Sequence, residues 1–173
     1  MIELYEGVPG SGKSYHAVCE KFLPWVKQGR RLYIAVNGIY LDRLSLFTGI
    51  DLPVLEQQIT LWKDSAEVLQ AFPYVEPGSA VIIDEAQTVF RSMQKVEPGL
   101  LRWLETHRHY GVDILLMSQD FRQMSQGVTR LIEATVKFRK LSFVGLSKKY
   151  QGKVRGNPED NEVIRAFVGT YSP

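Results

Sequence analysis

Cysteine is almost missing from these 173 residues, with Cys19 standing alone. No disulfide can form within the chain, and a reducing compartment is the expected setting. Histidine is scarce too. His107 and His109 are two apart, which puts them on different sides of a helix, and His16 is remote in sequence, so a zinc site is not expected. The pair reads instead as packing or hydrogen-bonding groups near the functional face. Long apolar runs are lacking: stretches such as Ile114-Leu115-Leu116-Met117 fall far short of the ~20 residues needed to cross a bilayer. A cleavable leader is not visible, because the first basic side chain is Lys13 and Glu3 and Glu6 interrupt the apolar start. A soluble chain is expected. Internal repeats, low-complexity tracts and linkers are also missing, so residues 1–173 read as one domain.

What is present can build a core. Hydrophobic residues make up 45% of the chain and charged residues 23%, which argues against extensive disorder. The net charge of +2 hides an uneven distribution. Residues 1–120 carry 11 basic and 15 acidic side chains, whereas residues 121–173 carry 10 and 4, a basic segment on a mildly acidic body.

Ile2-Glu3-Leu4-Tyr5 predicts a short strand running into a glycine-rich turn, and the apolar spacing from Lys13 to Val26 predicts one helix. Strands are expected over 32–36, 80–83, 112–117 and 135–144, with residues 148–155 returning beside the last. Helices are expected over 65–72, 98–107 and 125–132, and the stretch 39–61 carries no clear pattern. Strands alternating with helices predict an α/β fold with a mainly parallel sheet flanked by helices. Trp25, Trp62 and Trp103 read as core or interface anchors.

The turn carries the strongest signal. Gly7-Val8-Pro9-Gly10-Ser11-Gly12-Lys13-Ser14 fits G-x-x-x-x-G-K-[ST] at every fixed position, after a strand and before a helix. Glycines let successive N–H groups face one anion, and the helix start adds positive potential. Lys13 would reach the β- and γ-phosphates, Ser14 would ligate Mg²⁺, and Tyr15 closes the nucleotide-binding stretch. Asp84, at the end of the apolar Ala80–Ile83 run, matches a Walker B carboxylate aimed at the same Mg²⁺, and Glu85 is then the general base for an attacking water. The alternative is an acidic turn starting a helix. Gln119 ends the next apolar strand, where ligands of such sheets bind, and could bridge the γ-phosphate and the water.

Arg108 is a candidate for a finger reaching a neighbouring subunit's γ-phosphate, with Arg102, Arg122 and Arg130 as competitors. Its plain alternative is a solvated charge or a partner for Asp113 or Glu105. From Lys137 to Arg155 the basic residues Lys137, Arg139, Lys140, Lys148, Lys149, Lys153 and Arg155 meet no acid and interleave with Phe138, Phe143 and Tyr150. Such a surface suits a nucleic-acid backbone or anionic lipid, or is simply an exposed hairpin.

The segment 2–14, the Val81-Ile82-Ile83-Asp84-Glu85-Ala86-Gln87 strand, and the His107-Arg108-His109-Tyr110-Gly111 stretch running on to Gln119 together resemble the zonular occludens toxin family. That family includes gene I assembly proteins of filamentous phages. The resemblance covers nearly the whole chain, as the family's N-terminal cytoplasmic domain, and is similar in turn to the FtsK–HerA group of ring-forming P-loop ATPases. It implies ATP and Mg²⁺ as ligands and catalytic roles for Lys13, Ser14, Asp84, Glu85 and Gln119. It also implies a homo-oligomeric ring, commonly a hexamer, with single-stranded DNA, phage coat or other assembly proteins as partners. Family members usually continue into a transmembrane helix and a periplasmic region, so location at the host inner membrane would come through a segment not in this sequence. Three readings stand: an assembly and export motor hydrolysing ATP, a small P-loop kinase, and a nucleotide-gated scaffold with little turnover.

Overall fold

The opening Ile-Glu-Leu-Tyr alternation becomes strand β1 (Ile2–Glu6) in the computed structural model, which describes residues 1–142, 145–146 and 148–171. Beyond the glycine-rich loop come helix α1 (Lys13–Ala17), a π-helical turn (Val18–Phe22) and α2 (Leu23–Lys27). The single helix expected there is thus widened in its middle. Pro24 has no N–H to return to the carbonyl of Glu20, and a π turn accommodates that gap without ending the helix.

β2 (Leu32–Ala35) follows, and the stretch without pattern resolves into α3 (Leu41–Thr48), α4 (Leu52–Gln58) and β3 (Ile59–Leu61). Gly49 caps α3 at φ 74° and Pro53 lies in the first turn of α4, so both breakers mark a helix boundary rather than a loop. The Asp64 side chain accepts from the Glu67 amide at 2.8 Å and starts α5 (Ser65–Ala71). Next are β4 (Ala80–Ile83), α6 (Ala86–Val89), α7 (Pro98–Thr106) and β5 (Asp113–Ser118).

The helix expected over 125–132 is only α8 (Gln126–Thr129). Leu131 and Ile132 then bond back to Val128 and Thr129, three residues away, and the tightened chain delivers the Glu133 amide to the Ile2 carbonyl at 2.9 Å. β6 (Ala134–Lys140) pairs antiparallel with β7 (Lys149–Arg155), and β7 with β8 (Arg165–Thr170), a strand the sequence reading did not anticipate. The strand expected over 135–144 stops at Lys140; its Phe143 and Val144 lie outside the described residues.

These strands form one sheet in the order β3-β2-β4-β5-β1-β6-β7-β8, parallel from β3 to β6. One face packs Leu4, Val81, Ile83 and Ile114 against Phe72, Phe90 and Leu104. The other packs Tyr5, Ile82, Leu115, Met117 and Phe138 against Ala17, Phe22 and Val26. Each fully shielded Ile or Leu stabilises by roughly 1.5–3 kcal/mol. The central strands are therefore stiff carriers for the polar residues at their carboxyl ends. Trp62 is buried between Tyr33 and Phe72, and Trp103 stacks on Tyr110. No helix among the described residues is long and apolar enough to cross a membrane.

Candidate nucleotide site

The loop between β1 and α1 is anchored at both ends. The Gly7 amide donates to the Ser118 carbonyl at 3.2 Å, and the Ser11 amide donates to the Val8 carbonyl at 3.1 Å. Gly7 has no room for a side chain: a Cβ would stand 2.7 Å from Ser11 Oγ and 2.8 Å from the Phe138 carbonyl oxygen. Gly12 adopts φ 102°, and a Cβ there would meet Tyr150 Cγ at 2.7 Å. Strand β7 thus packs directly on the loop. Lys13 is a buried residue, and its ammonium makes no hydrogen bond or ion pair among the described residues. Ser11 Oγ is also buried and unpartnered. A lysine set in the cavity wall and an orphaned buried hydroxyl inside a glycine-built cradle are what a polyphosphate would satisfy, so the residues fit the triphosphate that the motif implies.

β4 delivers the acidic pair. The Asp84 amide continues the strand by donating to the Ala35 carbonyl at 2.9 Å, and its Oδ1 accepts from the Glu85 amide at 2.9 Å. Glu85 takes φ 48° and ψ 44°, the one non-glycine residue with positive φ among the described residues. Such backbone outliers persist where surroundings over-determine them, often at functional sites. Here the surroundings include Gln87, whose amide nitrogen donates to the Glu85 carboxylate and whose carbonyl oxygen accepts from Ser118 Oγ at 2.8 Å. Gln87 was not assigned a role from sequence. Its signal was its position two residues beyond Glu85 in the family-like strand.

Burial pushes the Asp84 carboxyl above its ordinary range, and the Glu85 charge adds to that. The Glu85 amide and the Lys13 ammonium pull the other way. Ser14 and Asp84 fit the few protein ligands that Mg²⁺ takes, since it keeps several waters and phosphate oxygens. Among the described residues no group of three or more His, Cys, Asp or Glu side chains could hold a metal ion.

β5 lies between β4 and β1, so Gln119, directly after Ser118, emerges between the acidic pair and the loop. It is exposed and lines a cavity of about 500 Å³ with Gly7, Val8, Lys137, Arg139, Lys153 and Arg155. Those four basic residues alternate along β6 and β7 on the sheet face opposite Phe138 and Tyr150. Lys137 and Lys153 are register partners, and so are Thr135 and Arg155. Glu6 Oε2, 3.7 Å from Lys137 Nζ, and the Asp120 carboxylate, which clasps Arg122, are the acids nearby. Lys140 departs from this group. It faces the other way and lines a second cavity of about 400 Å³ with Gly10, Ser11, Gly12, Lys13, Ser14, Tyr15 and Tyr171. Lys148 and Lys149 are exposed where β7 begins, and Phe143 lies outside the described residues.

Arg108 is held elsewhere. Its guanidinium makes a paired contact with the Glu133 carboxylate, Nε at 3.1 Å from Oε1, just ahead of β5 and β6. That is the amino-terminal edge of the sheet, the far end from the loop, so Arg108 is not brought to its own chain's site; its partner is neither Asp113 nor Glu105. The expectation that His107 and His109 lie near the nucleotide face is corrected for the same reason. His107 is buried at that far edge with Nδ1 2.7 Å from the Leu104 carbonyl, and desolvation lowers its pKa. The histidines close α7 before β5 starts, and parallel strands put starts and ends at opposite edges.

Residues 1–170 match the family model described as zonular occludens toxin. The chain is 27% identical over 164 residues to the gene 1 protein of Xanthomonas phage phiLf, covering 87% of this chain and 37% of that protein. It is 26% identical over 170 residues to the putative assembly protein ORF301 of Pseudomonas phage Pf3, covering 94% of this chain and 50% of that one. The chain therefore spans half or less of these relatives. Among solved structures, the N-terminal domain of zonular occludens toxin from Neisseria meningitidis superposes with TM-score 0.60 at 20% identity, covering 99% of this chain and 93% of that one. The genome packaging NTPase B204 of Sulfolobus turreted icosahedral virus 2, in complex with ATP-gammaS, gives TM-score 0.57 at 18% identity over 88% of this chain and 90% of that one. The fold is that of P-loop NTPases.

Proposed function

This chain belongs to the zonular occludens toxin family, and from that premise we propose that it is an ATP-binding and ATP-hydrolysing motor domain of filamentous phage assembly. One observation carries the reading: a buried Lys13 without a hydrogen bond, in the glycine-built loop after β1, shares its sheet edge with Gln119 after the adjacent strand β5 and with Asp84 and Glu85 after β4 beyond it. Lys13 and the loop amides would bind the β- and γ-phosphates, and Ser14 and Asp84 would hold Mg²⁺. The ion, when bound, neutralises phosphate charge. Glu85, oriented through Gln87, would position and deprotonate the attacking water, with Gln119 bridging it to the γ-phosphate.

The 1–173 segment would act as one domain of a homo-oligomeric ring, the hexamer being the form favoured by the resemblance. Arg108, facing outward at the far edge, would serve only a neighbouring copy. The relatives from phages phiLf and Pf3 and the packaging NTPase support a role in moving a genome during assembly. Single-stranded DNA would lie along the basic face of β6 and β7, with coat or other assembly proteins nearby. Attachment to the host inner membrane would come from a further segment.

The test is Mg²⁺-dependent ATP hydrolysis across a protein concentration series, with and without single-stranded DNA. Specific activity that rises with concentration and disappears in Lys13→Ala supports a motor completed between subunits. Tight ATP binding with flat, negligible turnover would favour the nucleotide-gated scaffold.

A further inference from the structure

The phosphate loop has two flanks. On the β5 side lie Asp84, Glu85 and Gln119, where the reacting end of a triphosphate belongs if the loop is used as proposed above. The nucleoside must therefore leave on the β6 side of β1. The cavity of about 400 Å³ lies there, and its walls beyond the loop are Tyr15, Lys140 and Tyr171.

Tyr171 reaches this cavity from the end of β8, the outermost strand. Its amide donates to the Lys148 carbonyl at 2.9 Å, and its hydroxyl donates to the Gly10 carbonyl at 3.3 Å, fixing the ring beside the loop. The ring meets Tyr15 edge-on at a centroid distance of 5.3 Å and Tyr150 at 5.1 Å. Tyr150 in turn donates to or accepts from His16 Nδ1 at 3.0 Å and presses on Gly12. Two half-buried phenol rings inclined at 65°, with an ammonium on the same wall, suit a flat heterocycle with acceptor atoms on its rim.

We propose that Tyr171, with Tyr15 and Lys140, forms the nucleobase subsite of this domain: the base stacks on the tyrosines while Lys140 donates to its acceptor edge. This rests on the phosphate-loop reading and adds to it the residues that distinguish a nucleotide from bare polyphosphate. Tyr171 is a binding residue and touches no reacting atom.

The test compares calorimetric affinities for ATP and inorganic tripolyphosphate, both with Mg²⁺, on the full chain. The parent should bind ATP more tightly than tripolyphosphate. Tyr171→Ala should weaken ATP roughly 5- to 100-fold, the range that aromatic stacking on a base supports, with tripolyphosphate affinity unchanged. Tyr171→Phe, which keeps the ring and loses only its tie to Gly10, should retain most of the ATP affinity that Tyr171→Ala loses. Equal affinity of the parent for the two ligands overturns the subsite while leaving the loop intact. So does an equal loss of both in Tyr171→Ala, which would make Tyr171 a prop for Gly10. A parent that binds neither ligand overturns the loop reading and the subsite together.

Discussion

The hydroxyl of Ser118 donates to the side-chain carbonyl of Gln87 at 2.8 Å, and the amide of that same Gln87 donates to Glu85. Because Ser118 also gives its backbone carbonyl to the Gly7 amide, one residue at the end of β5 touches both the loop and the carboxylate's support. Glu85→Gln should therefore retain ATP affinity and lose turnover by about 10²-fold or more. Gln87→Ala should lower kcat by roughly 10-fold with KM little changed, since it misorients Glu85 without removing it. Single-turnover hydrolysis measures both, and an unchanged rate in Gln87→Ala would end its positioning role.

Asp84 is costly where it stands. Its folded pKa lies above the ordinary carboxylate value, chiefly through burial, so its negative charge at neutral pH opposes folding, and that opposition fades as pH falls through the folded pKa. Asp84→Asn should raise the melting temperature of the ligand-free protein at pH 7. It should at the same time abolish the tightening of ATP binding by Mg²⁺. A lowered melting temperature would mean the carboxylate is structural.

Acid should destabilise the fold in two stages. His107 has a depressed folded pKa, from desolvation, so the stability it contributes is present above the ordinary imidazole range and lost as pH falls through the folded value. Burial pushes Asp113 up, but hydrogen bonds from the Met1 ammonium and from Arg30 Nη1 at 2.7 Å outweigh it and hold the carboxyl low. Its contribution persists above the ordinary carboxylate range and goes as pH drops through the lowered pKa. Melting temperature against pH should thus show an early decline that His107→Gln flattens and a later one that Asp113→Asn flattens. A single acid step unaffected by either variant would refute this.

The like charges of Lys137 and Lys153, opposite each other across the β6–β7 ladder, are unfavourable in the free protein. Replacing both with Gln removes that repulsion together with the Lys137–Glu6 ion pair, two changes that act on stability in opposite directions. The same change should reduce the salt dependence of single-stranded DNA binding, by a slope of about 0.7 for each lost phosphate contact. Lys140→Gln, on the opposite face, should leave that slope unchanged. Fluorescence anisotropy at several salt concentrations separates these outcomes, and equal effects of all three lysines would show that the two faces do not act separately.

The nucleotide loop and its acidic partners were legible because each rests on local chemistry: glycines at fixed spacing, a Lys-Ser pair, and an apolar run closed by Asp-Glu. The parallel sheet was legible from its unbroken apolar strands, whose fourfold Ala80–Ile83 burial leaves no alternation to misread. β8 escaped notice because an edge strand buries little, and Arg165–Thr170 is mostly exposed. Nor could spacing tell Lys140 from Lys137: which face a residue takes depends on the strand's pleat and its register with β7, and both are tertiary facts. Tyr171 was hidden for a similar reason, being 161 residues from the Gly10 carbonyl it contacts.

Strand β7 carries Tyr150 on one side and Gln151 and Lys153 on the other, with Tyr150 seated against Gly12. Slipping this hairpin by one residue would turn a lysine or glutamine toward the glycine and remove the phenol that braces it. Nucleotide affinity is then an assay of correct strand pairing in the last third of the chain. A fragment ending at Lys140 would keep every motif residue and still fold its loop unsupported, so intact motifs in a shortened chain would be no guarantee of ligand capture.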